Sequence, residues 1–124
     1  MARSGFFVDL LIIVTIQPSM LILPRPLVTE MTTNQIGDLV MPYWPGRGFG
    51  LGFTLLKDSA EANTPESPGT WRMGGTYGHS WFVDPSEELS VVAFTNTALE
   101  GMSGRFTTEL CESVYKGIRE GCKE

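Results

Sequence analysis

The apolar positions change rhythm several times along this chain, and each rhythm predicts an element. An apolar run from Phe6 to Ile16, broken by Asp9, is followed by Gln17-Pro18 and then by Leu21-Ile22-Leu23. Arg3 precedes that run, in the basic-then-apolar order of a secretory or membrane signal. Asp9 inside the run, and the lack of a clean small-x-small cleavage site after it, speak against that reading. The run is short of the roughly 20 residues that span a bilayer, and Pro18 would kink a longer one. The segment also reads as a buried helix or strand of the fold, or as the non-native start of a truncated reading frame. These three readings stay open. The chain therefore divides into an apolar segment, 1–23, and a domain portion, 24–124.

Pro24 and Pro26 interrupt the pattern. Leu27, Met31 and Gln35 then recur at helical spacing, which predicts a short amphipathic helix from Pro26 to near Gly37. Residues 40–48 are a loop rich in Pro, Gly and aromatics. Residues 49–58 alternate, with Phe49, Leu51, Phe53 and Leu55 on one face, and predict a strand. The polar stretch 59–70, with two prolines, predicts a surface loop between strands. Residues 71–84 carry Trp71, Trp81, Phe82 and Val83 around three glycines and predict a strand or bent strand pair. Asp84-Pro85 begins a turn. The continuous apolar run at 89–96 predicts a buried strand, paired antiparallel with the one before it. Phe106, Leu110, Val114 and Ile118 make the strongest helical row in the chain, over 105–119, with Ser103 as a candidate N-cap. The expected order is helix, three strands, helix.

Composition changes this picture only at the edges. Among 124 residues there are 9 Lys+Arg, 14 Asp+Glu and a net charge of −5, so a basic nucleic-acid surface is not expected. A hydrophobic fraction of 42% and a charged fraction of 19% exclude wholesale disorder. One histidine and two cysteines leave little from which to build a zinc site. Cys111 and Cys122 would lie roughly 16 Å apart on one straight helix, beyond the ~7 Å a disulfide tolerates. Unpaired thiols are the simpler expectation.

Three patterns could carry chemistry. Gly78-His79-Ser80-Trp81-Phe82 has the outline of a nucleophile elbow, but Phe82 stands at the last glycine position. The plain alternative is a strand with Ser80 and Phe82 on one face and His79, Trp81 and Val83 on the other. Gly74-Gly75 inside a predicted strand requires a close neighbour. That neighbour is either a substrate whose oxyanion takes the free N–H groups, or the C-terminal helix packed at a bulge. Trp44, Trp71 and Trp81 could form an aromatic binding surface, although aromatics in strands more often fill a core.

From about Leu23 to Tyr115 the chain resembles the C-terminal part of the β-lactamase-related serine hydrolases, the class C β-lactamase, esterase and penicillin-binding superfamily. The resemblance rests on Leu27–Gln35, on Gly48–Phe53, on Gly74-Gly75-Thr76-Tyr77-Gly78 running into Phe82-Val83-Asp84-Pro85, and on the strand and helix that follow in order. It implies an α+β fold: an antiparallel sheet of about three strands flanked by N- and C-terminal helices, an incomplete β-lactamase/transpeptidase-like fold. It also implies that Met73-Gly74-Gly75 stands at the family's third active-site motif, which reads Lys-Thr-Gly, His-x-Gly or Trp-Gly-Gly elsewhere. Thr76 would then supply an oxyanion-hole N–H. Met73 departs from that pattern and can form no strong hydrogen bond there.

The family's Ser-x-x-Lys nucleophile motif, in which the lysine activates the serine, has one spacing match, Ser113–Lys116. It lies in the terminal helix, where chance explains it better. No Tyr-x-Asn motif occurs. The resemblance thus implies a truncated β-lactamase-like or esterase-like serine hydrolase, inactive alone and without cofactor or metal. It would meet a small ester or amide substrate only if completed by a missing part. An uncovered sheet would promote self-association. The competing expectation is a non-enzymatic binding module, secreted or membrane-anchored through 1–23.

Overall fold

The computed structural model describes residues 11–16 and 23–121. In chain order these form β1 (Leu11–Ile16), α1 (Arg25–Met31), β2 (Arg47–Phe49), β3 (Thr54–Leu56), β4 (Trp71–Gly74) and β5 (Ser80–Asp84), then β6 (Leu89–Phe94), α2 (Glu100–Ser103) and α3 (Arg105–Gly121). The strands make one sheet in the order β1-β6-β5-β4-β3-β2, with every neighbouring pair antiparallel. The architecture is α+β as expected, with six strands rather than three.

Two differences account for most of the count. The alternating stretch 49–58 is a hairpin, not a strand: the chain reverses where the Gly50 N–H donates to Phe53 O, 2.9 Å. Gly52 sits there at φ +105°, a conformation that side chains other than glycine's resist. Leu51 is consequently exposed while Phe53 and Leu55 are buried. Residues 71–84 resolve the other ambiguity as a pair, β4 and β5, joined at 75–79. The apolar run 11–16 adds β1, in register from Leu11–Phe94 to Ile16–Leu89.

The helices also depart from their sequence patterns. α1 stops at Met31 because Thr32 and Thr33 hydroxyls bond back to the Val28 and Thr29 carbonyls, a habit that competes with helix propagation. Gln35 N–H then turns to Phe49 O, 2.8 Å, drawing the chain toward β2. Ser103 is not the residue before α3, which is Gly104. Ser103 ends α2, and the Glu100 carboxylate accepts from the Phe106 N–H, 3.0 Å.

The core lies between β5–β6 and α3. Phe82, Leu89, Val91 and Ala93 face Leu110, Cys111 and Tyr115, all buried. Each large apolar side chain so buried stabilises the fold by about 1.5–3 kcal/mol. Phe82 and Tyr115 stack with ring centres 6.1 Å apart. β5 alternates buried and half-buried positions, Ser80, Phe82 and Asp84 being buried, as the strand reading of this stretch requires.

Asp84 ends β5 with no exposure at all. Its carboxylate accepts from Tyr115 O–H (2.5 Å) and from the Ser67, Ser86 and Glu87 N–H groups. Burial pushes its proton affinity up, but these donors outweigh it and hold the carboxyl below its usual range. The same burial, and then Asp84 itself, push the Tyr115 phenol well up.

Candidate functional site

A cleft of about 290 Å³ opens at the end of β4, between that strand, α2, the first turn of α3 and the 43–45 loop. Met73 and Gly74 form one edge, Gly101 and Met102 a second, Thr107 and Thr108 a third. The glycines set this geometry. A side chain on Gly74 would run into the Gly101 carbonyl, and one on Gly75 into the His79 ring. A helix does therefore pack on the Gly-Gly pair, but it is α2, not the terminal helix.

The four residues marked by resemblance are divided. Met73 and Gly74 line the cleft; Gly75 and Thr76 belong to the β4–β5 turn beside it. The Gly75 N–H closes that turn on His79 O, 2.9 Å, and is not free for an oxyanion. Thr76 uses its carbonyl to accept from Leu99 N–H (2.6 Å) and its hydroxyl to reach Met102 Sδ (3.1 Å), while its own N–H makes no backbone hydrogen bond among the described residues. Leu99 pays for that contact with φ +72°, a strained region for a branched side chain. The turn is thereby tied to α2 and to the cleft rim.

Neither Ser80 nor Ser113, the two serines the sequence patterns single out, lines the cleft. Ser80 lies within a strand, 2% exposed, with no strand-to-helix turn around it. Ser113 and Lys116 sit exposed on α3, and Lys116 approaches Glu120 at 3.9 Å. The three tryptophans do not form one surface. Trp71 and Trp81 pack edge-on, 6.1 Å apart, around Phe53, whereas Trp44 lines the cleft. Cys111 is buried and unpaired, its thiol pushed up to about 12 by burial and by Glu66; Cys122 lies outside the described residues. Among the described residues no group of His, Cys, Asp and Glu is arranged to hold a metal, and no helix is long and apolar enough to cross a membrane.

Sequence reasoning missed the charged floor of this cleft. Glu66, in the supposed surface loop 59–70, is 1% exposed and receives both Arg47 and Arg72. Arg72 also lies over the Phe82 ring, 5.7 Å from its centre. The available signal was Arg72 within a strand-forming apolar stretch, where an unpaired charge is costly; Arg47, in the loop 40–48, gave none.

Comparison with known proteins finds similarity to a named esterase and to a solved hydrolase. It is 47% identical over 93 residues to Esterase EstB of Burkholderia gladioli, a match covering 75% of this chain and 24% of EstB. It is 36% identical over 69 residues to Protein Rv1367c of Mycobacterium tuberculosis, covering 48% of this chain and 17% of that one. Among solved structures it superimposes on EstCE1, described as a hydrolase with promiscuous acyltransferase activity, with a TM-score of 0.72 and 44% identity, over 78% of this chain and 26% of EstCE1. No family model matches. The chain spans about a quarter or less of the length of these relatives.

Proposed function

Because this chain belongs to the β-lactamase-related esterase family and corresponds to its C-terminal region, we propose that it supplies one wall of an acyl-substrate cleft and not the nucleophile. The observation that carries this reading is the meeting of Met73-Gly74 with α2 at a small cleft, at the position where the resemblance sets the third active-site motif. The Thr76 N–H, unused by the turn, is the donor for a developing oxyanion. Such a donor lowers a barrier only when a nucleophile attacks beside it. Among the described residues no serine–lysine pair lines the cleft, and on this reading the chain alone turns over no ester.

The test has two arms. Pure chain should hydrolyse p-nitrophenyl acetate no faster than buffer. Activity that a Ser80→Ala change abolishes would overturn the missing-nucleophile part of the reading. Co-expression with the portion of Esterase EstB that this chain does not match should yield ester turnover that Gly74→Val removes. A stable complex without turnover would sink the cleft assignment.

A further inference from the structure

The cleft has a charged floor that no step so far uses. Arg47 of β2 and Arg72 of β4 converge on one carboxylate, Glu66, at 2.5 Å and 2.8 Å. The three side chains are 9%, 16% and 0% exposed. Two guanidinium groups, protonated at any biological pH, face one carboxylate and leave a positive charge without a counter-charge. Arg47 Nη1 is buried with no acceptor among the described residues. A charged donor left in that state is expensive, and proteins seldom leave one unpaired without a purpose.

The same two arginines line the cleft, and they are the only charged side chains that do so among the described residues. Glu100 of α2 does not line the cleft, and its carboxylate accepts from the Phe106 N–H. Apolar and aromatic side chains line the same cleft, among them Tyr43, Trp44, Met73 and Met102. We propose that this cleft binds a small carboxylate with a flat apolar body. The carboxylate meets the Arg72 guanidinium, the more exposed of the pair. Arg47 adds its charge from beneath, and the body lies between the aromatic wall and the methionines. A guanidinium fork matches two coplanar oxygens better than it matches any neutral ligand. The inference rests on the cleft reading above and narrows its substrate class to acyl compounds that carry a free carboxylate.

Calorimetric titration of the full chain with phenylacetate and with phenylacetamide, its neutral isostere, tests this. At low ionic strength phenylacetate should bind at least about tenfold tighter, and salt should erode the difference. Arg72→Met should abolish the preference and Arg72→Lys should keep part of it, each variant being checked for a cooperative melt. Equal binding of acid and amide, or no binding of either, overturns the subsite without any variant. So does a preference that survives in folded Arg72→Met. Ester turnover on complementation with no carboxylate preference would sink the subsite and leave the cleft reading standing. A carboxylate preference without turnover would do the reverse.

Discussion

The two faces of the sheet are finished to different degrees. On the α3 side, Phe82 and Val91 are 1% and 0% exposed, and Asp84 has four donors for its carboxylate. On the other side Trp71, Val83 and Val92 are half-buried, Met73 and Phe94 are exposed, and the Trp71 indole N–H is buried without a partner among the described residues. Both faces are built from the same alternating strands. The difference is that α3 carries a matching apolar row, and no described helix does so for the opposite face. One face is a completed core; the other is half-buried to exposed among the described residues.

The largest expected effect tests this contrast directly. Phe82→Ala should cost about 3–5 kcal/mol in urea unfolding, the range for a buried aromatic. Trp81→Ala, on the opposite face of the same strand, should cost less than half as much. Equal losses would mean that both faces are core. Next comes Gly74→Ala, which drives a methyl group into the Gly101 carbonyl. Overpacking of this kind costs about 1–3 kcal/mol, and the Thr76–Leu99 contact should loosen with it, measured as faster amide exchange at Leu99.

The smallest effect sharpens the account of the finished face. Tyr115→Phe removes one of four donors to Asp84 and should cost about 1 kcal/mol. The pH dependence should follow. The Asp84 carboxyl is held below its usual 3.8, so its contribution is present above about pH 4 and is lost as pH falls through the lowered value. Tyr115 and Cys111 are both held up, so the folded form keeps protons that the unfolded chain releases. Stability should therefore decline as pH rises above about 9. An alkaline limb unchanged in a Tyr115→Phe, Cys111→Ala double variant would remove this assignment.

The elements that repeat a simple period were legible in the chain. β6 and α3 stand where the apolar run at 89–96 and the row from Phe106 to Ile118 predict them. The β4–β5 pair and the packing of something against Gly74-Gly75 were also foreseeable. What escaped was local competition. The threonines that end α1 early, and the glycine at φ +105° that folds 49–58 into a hairpin, act against periods that remain visible in the sequence. The candidate site was half legible. The resemblance pointed to Met73–Thr76, but only Met73 and Gly74 reach the cleft, because Gly75 is spent on the turn.

The residues by themselves determined a mixed order of strands and helices and the helix that covers the sheet, since period acts locally. Only the tertiary structure decided that Arg47, Glu66 and Arg72, 19 and 6 residues apart along the chain, share one floor. Such a cluster leaves no periodic trace. It exists because antiparallel pairing and a folded-back loop bring distant charges to one place, where burial gives each of them a consequence that it would lack in water.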